Sequence, residues 1–365
     1  MRQGVDTLFL SLVLGLTTVG FLIFLSAALG LLSRTGASYG SVVFSQLVLG
    51  VIGGGISMYL LSNIHYRLYS KYAMYIFGLG LLLTLAVFIP GIGMSHAGAT
   101  RWLDLGFTTV QPSEFLKIAY VIYLATWLSG MQKHVSDWRY GLLPFLLISG
   151  AAGFVMLLQP DTDTYLIMAT AGMAMFIVAG ARLRDLAAII LIGVILVSAL
   201  AYSRPYVMDR MLTFLDPAAD PLGSGYQINQ SLIAVGSGGL TGRGFGQSIQ
   251  KFEYLPEPIG DSIFAVYGEE FGFAGVLLLL TLFIALGLRG FMVAERAADM
   301  FGVLLVVGII TVMLTQAFLN IGAMLGVAPL SGLPLPFVSH GGTALFATLS
   351  AMGIVLNVSK FRLKK

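Results

Sequence analysis

The sequence holds 365 residues, 57% of them hydrophobic and only 10% charged, against about 25% charged in a soluble domain, which excludes an ordinary soluble globular protein. A formal net charge of +3 is too small to point to a nucleic-acid partner. Cysteine is absent and the four histidines (His65, His96, His134, His340) lie far apart, which excludes disulfide scaffolds, thiolate chemistry and histidine-paired metal sites.

Apolar runs of about 20 residues, each able to cross a bilayer as a helix, fall at 7–31, 41–62, 73–92, 111–130, 141–158, 164–180, 185–203, 262–288, 301–325 and 341–358. They predict an all-α polytopic membrane protein with about ten transmembrane helices. The first run is longer than a signal-peptide core, lacks a small-residue cleavage site, and reads as a retained span. No block repeats at a fixed period, so residues 1–365 read as one membrane domain. Between the seventh and eighth spans, residues 204–261 form a large polar loop that lipid tails cannot solvate.

Basic residues sort by side. Arg2, Arg67, Lys71, Lys133, Arg139, Arg182, Arg184, Arg289, Arg296, Lys360, Arg362, Lys364 and Lys365 share one side, while Arg34 and most of the acids fall toward the other. The positive-inside rule then places both termini in the cytoplasm and the 204–261 loop outside.

Taken along the chain, four constellations could carry chemistry. Arg101-Trp102 precedes Gln111-Pro112-Ser113-Glu114 and Lys117. Glu114 and Lys117 share a helix face, and charges inside a span usually face a bundle interior or a wet cavity. The plainer reading is a structural ion pair. Gln159-Pro160-Asp161-Thr162-Asp163 marks a break between spans, where either aspartate could simply cap the next helix. The loop carries Arg210, Phe214-Leu215-Asp216-Pro217, Gly242-Arg243-Gly244-Phe245-Gly246, Lys251 and Leu255-Pro256-Glu257, and it closes on Asp261. Its glycines could let backbone N–H groups approach an anion or make ordinary turns. Asp261 could cap the eighth span, or act as a base if partial burial raises its pKa. Glu269 and Glu270 lie deeper in the same span. Finally, Pro334 and Pro336, followed by Ser339-His340-Gly341, break helical continuity and read as a re-entrant or cavity-lining segment.

Together these blocks resemble the SEDS family (shape, elongation, division and sporulation). The resemblance rests on Arg101-Trp102, Gln111-Pro112-Ser113-Glu114 with Lys117, Gln159-Pro160-Asp161, Phe214-Leu215-Asp216-Pro217, Gly225-Tyr226-Gln227, Leu255-Pro256-Glu257, Asp261, Glu269-Glu270 and Pro334-Leu335-Pro336-Phe337. Within the family, the short termini favour the elongation branch over the division branch. The chain departs from the family pattern at Ile259-Gly260, where a histidine often precedes the aspartate, and at Asp163.

The resemblance implies a peptidoglycan glycosyltransferase of the bacterial cytoplasmic membrane. It would polymerise lipid II, a disaccharide-pentapeptide on undecaprenyl diphosphate, during cell elongation, beside a class B penicillin-binding protein and among membrane lipids. It implies Asp261 as general base. Arg101, Lys117, Arg210, Arg243 and Lys251 would contact the diphosphate, Glu114 would position Lys117, and Asp161 would belong to the same substrate site. A divalent cation, Mg or Mn, could assist through oxygen ligands, its protein ligands being unknown; no organic cofactor is expected. The alternatives are a lipid II flippase and a non-catalytic scaffold that activates a penicillin-binding protein.

Overall fold

The computed structural model describes residues 4–33, 39–96, 99–106, 108–217 and 219–362. Arg2, Arg34, Lys364 and Lys365, used in the orientation reading, lie outside them. Every predicted span is a helix: α1 (Thr7–Ser33), α2 (Tyr39–Asn63), α3 (Arg67–Phe88), α4 (Pro112–Gly130), α5 (Leu142–Leu158), α6 (Thr162–Val178), α7 (Leu183–Ser203). Within the loop run α8 (Pro205–Leu215) and α9 (Tyr226–Ser237), and the last spans are α10 (Ile263–Glu295), α11 (Met300–Met324) and α12 (Gly342–Ser359). Seven of these helices are long and apolar enough to cross a membrane by length and composition; the chain is a multi-pass, mainly helical membrane protein.

The two largest boundary differences from the sequence reading lie at charged helix ends. α3 begins at Arg67, six residues before 73, and α10 runs to Glu295 instead of 288. Arg67, Lys71 and Arg289 sit in those extra turns, and such side chains can lie at the end of a span while reaching water. A further element was not foreseen. A three-stranded antiparallel sheet, β1 (Gly93–His96), β2 (Ala99–Asp104) and β3 (Thr109–Val110), joins α3 to α4 in the order β1-β2-β3.

The core centres on α11 and α12, the most buried of the apolar spans, whereas α7 is almost wholly exposed along its length. α5 and α6 have 17 residues each, about 25 Å of helix against a hydrocarbon core of about 30 Å.

One end of the bundle is tied by charge. Asp6 caps α1 through Phe9 N at 3.0 Å, receives Arg289 at 2.9 Å, and lies 3.3 Å from Arg362. Arg67 donates to Asp299 at 2.8 Å and Tyr66 donates to the same carboxylate at 2.9 Å. Both ends of the described chain thus meet the α10–α11 connection. Asp261, at the opposite end of the 33-residue α10, faces the other side.

Candidate active site

Asp261 stands one residue before Ser262, the N-cap of α10, and neither side chain makes a capping bond. The plainer reading of Asp261 as a cap therefore does not hold. Its carboxylate opens into a cavity of about 210 Å³. α8 supplies Asp209, Arg210 and Thr213 to the lining, the turn before α9 supplies Ser224 and its first turn Gln227, and the α11–α12 connection supplies Leu330, Ser331 and Gly332. Burial first, then the negative charges of Glu257 and Asp163, push the Asp261 carboxyl up to about 7, against the pull of Arg210 and Arg101. A carboxylate that titrates near neutral pH is suited to accept a proton.

The cations come from two directions. α8 carries Arg210 to Asp163 at 2.7 Å. β2 carries Arg101 to the α5–α6 junction, where it donates to the carbonyls of Gln159, at 3.1 Å, and of Pro160, and lies 3.7 Å from Asp161. Gln159 in turn donates to Thr84 O on α3 at 2.5 Å. Asp161 caps α6 through Thr164 N at 3.3 Å, as the plainer reading held, and burial raises its pKa despite Arg101. Arg101, Asp161, Asp163, Arg210 and Asp261 thus form one electrostatic neighbourhood. Asp163 belongs to it through its bond from Arg210.

Glu114 and Lys117 are buried and paired at 2.9 Å, as their spacing predicts. They do not line the cavity. Lys117 also donates to Gln316 Oε1 at 2.6 Å, and Gln316 donates to Pro334 O at 2.8 Å. One turn on, Asn320 donates to Asp261 O at 2.8 Å and to Leu333 O at 2.7 Å. Gln316 and Asn320 were missed in the sequence reading. Polar side chains four apart in an otherwise oily span were the available signal.

The proline segment is pinned beside them. Ser339 donates to Gly260 O at 2.7 Å, His340 N to Ile259 O at 2.7 Å, and Gln46 donates to Ser339 O at 3.2 Å. Leu330, Ser331 and Gly332, just before this segment, line the cavity, whereas Pro334, Pro336, Ser339, His340 and Gly341 do not.

Arg243 and Lys251 go elsewhere. Lys251 is fully buried, 2.7 Å from Glu270 and within hydrogen-bond reach of Ser26 on α1. Arg243 lies 3.4 Å from Glu269. The glycine-rich stretch is no open anion cradle either. The N–H groups of Ile249 and Gln250 donate to Glu269, that of Ser248 to Glu270, and those of Arg243 and Gly244 to carbonyls of α10. The turn depends on its glycines. Gly242, at φ +79°, lies so close to α10 that a Cβ would stand 2.1 Å from Glu270 O, and α10 itself kinks at Gly272, at φ +62°. Among the described residues no group of three or more His, Asp or Glu side chains could hold a metal ion.

The sequence model of a family described as "Cell cycle protein", covering FtsW, RodA and SpoVE, matches residues 6–364. The chain belongs to this family, the SEDS proteins. It is 40% identical over 364 residues to Stage V sporulation protein E of Bacillus subtilis, covering 99% of this chain and 98% of that one. It is 40% identical over 306 residues to a probable peptidoglycan glycosyltransferase FtsW of Geobacter metallireducens, covering 84% and 82%. Among solved structures it resembles a chain in one described as "Structural coordination of polymerization and crosslinking by a peptidoglycan synthase complex", with a TM-score of 0.80, 28% identity and 97% of each chain covered. It also resembles the rod shape determining protein RodA of Thermus thermophilus, with a TM-score of 0.70 at 26% identity, covering 99% and 98%.

Proposed function

We propose that this SEDS protein is a peptidoglycan glycosyltransferase that polymerises lipid II at the outer face of the bacterial cytoplasmic membrane, with both termini in the cytoplasm. The observation that carries the reading is Asp261, a carboxylate that shares a polar cavity with Arg210 at the end of the bundle opposite the termini. In the reaction the acceptor sugar's 4-hydroxyl attacks the donor's anomeric carbon with inversion. Asp261 takes the hydroxyl proton, and the bond to the lipid diphosphate breaks with its electron pair staying on the phosphate oxygen. Arg210 at the cavity and Arg101 behind it supply positive charge for that leaving group. Asp161 holds the helix break against Arg101, and Glu114 holds Lys117, which shapes the cavity wall through Gln316. The placement of Arg243 and Lys251 gives no support to diphosphate contacts from them. A Mg or Mn ion would have to be shared with the diphosphate oxygens, as Mg commonly is; it would neutralise the leaving group.

The partner we assign is a class B penicillin-binding protein that crosslinks the new glycan, in keeping with the synthase complex that a structural relative comes from. For cellular role, division or sporulation has more support than the elongation expected from the short termini. The sporulation relative stands at 40% identity across almost the whole chain, and the RodA structure at 26%. The test is incubation of the purified full chain, with and without its partner, with labelled lipid II. Glycan ladders support the reading. Outward movement of lipid II in vesicles, with no glycan made under either condition, would establish the flippase instead.

A further inference from the structure

We propose that Asn320 is a positioning residue for the transfer step, its single amide group setting the gap between the Asp261 carboxylate and the Ser331–Gly332 wall. The inference rests on the transferase reading above. Asn320 is fully buried on α11. Both of its bonds run to carbonyl oxygens, Asp261 O at 2.8 Å and Leu333 O at 2.7 Å, so only the NH₂ can face them. One side chain therefore joins the backbone of the proposed base to the backbone of the facing wall. The wall stands close: a Cβ on Gly332 would lie 3.6 Å from Asp261 Oδ2. A hydroxyl to be deprotonated must fit within hydrogen-bond reach of that carboxylate, so the spacing of these two segments decides whether it can.

Two comparisons separate this role from plain support. Asn320 Oδ1 has no partner among the described residues, and a buried acceptor left unpaired costs stability. The side chain is thus an imperfect structural fastener with both of its donors spent on the cavity. Asn357, at the other end of the bundle, is a complete one: it donates to Ser62 O at 2.7 Å and accepts from Tyr66 N at 2.8 Å. Gln316, one turn before Asn320, holds the residue after Leu333 through Pro334 O. Lys117 and Glu114 thereby connect to the segment that follows the wall without touching the cavity.

The experiment measures initial rates of lipid II polymerisation by the folded full chain, against lipid II concentration and across about pH 5 to 9, where such a base titrates. Asn320→Asp keeps the shape and removes both donors; Asn320→Leu removes all polarity; Asn357→Leu is the control. We expect the Asn320 variants to lose on the order of 100-fold in kcat, the scale of a 1 Å misplacement, with KM little changed. The pH midpoint of Asn320→Leu, which adds no charge, should fall as a loosened Asp261 gains water. Asn357→Leu should lower thermal stability and leave kcat, KM and midpoint alone. Asn320 variants with wild-type kcat and midpoint, or with losses that Asn357→Leu matches, would overturn the inference while the transferase reading stands. A wild type that makes no glycan defeats both. If neither Asn320 variant folds, Gly332→Ala on the exposed wall decides: lower kcat or higher KM supports control by the gap, and unchanged values overturn it.

Discussion

Asp261 illustrates how function and stability pull against each other at one residue. Its carboxyl is raised from 3.8 to about 7 in the fold. A raised acid prefers its protonated form when folded, so its charge costs nothing at low pH. The cost grows as pH rises above 3.8 and is complete above about 7. A rise from 3.8 to about 7 amounts to roughly 4 kcal/mol at most. Asp261→Asn should therefore melt several degrees above wild type at pH 8, with the gain fading toward pH 4. Thermal unfolding at the two pH values checks this; an equal gain at both would show that the carboxylate is not destabilised by its surroundings. Asp161 shares the raised direction, but it caps a helix and faces Arg101, so its burial is structural as well as electrostatic.

At the scale of elements, the loop 204–261 is held by the kinked α10. Glu269 and Glu270 take N–H groups from residues 248–250, and Lys251 neutralises Glu270 in a place that excludes water. Lys251→Ala would leave Glu270 buried and unpaired, a loss of about 3–5 kcal/mol. The double change Lys251→Met with Glu270→Gln should recover most of it. Melting temperatures of the three proteins test this, and a single variant as stable as wild type would mean that water reaches Glu270. These elements also mark what could be read beforehand. The spans were legible because their apolar runs match bilayer thickness. The start of α3 was misplaced because Arg67 and Lys71 break the apolar run without breaking the helix. The sheet at 93–110 was missed because its short strands carry no long apolar alternation. Glu114 with Lys117 could be read from i,i+3 spacing. The partners of Arg243 and Lys251 could not, because they lie on α10, well along the chain, and meet them only after the chain folds back. The bond from Asn320 to Asp261 O spans 59 residues, a distance over which local pattern says nothing.

On the scale of the whole molecule, charge separates the two ends. Asp6 binds Arg289 near the end of α10 and Arg362 near the C-terminus, Arg67 binds Asp299 in the α10–α11 connection, and the Asp261 cavity opens at the far end of α10. The chain has no cysteine, so single cysteines report sidedness directly. In intact cells an impermeant maleimide should label Leu222→Cys, in the loop and 87% exposed. Lys133→Cys, exposed between α4 and α5, should react only after the membrane is opened. The reverse pattern would invert the orientation and move the cavity to the cytoplasm. The central claim is that this end of the molecule makes glycan with Asp261 as base. Its most direct test is polymerisation of labelled lipid II by the folded, purified Asp261→Asn protein beside wild type, together with lipid II binding by both. The account predicts retained binding and a polymerisation rate lower by at least about a hundredfold, whereas wild-type glycan synthesis by Asp261→Asn would contradict it.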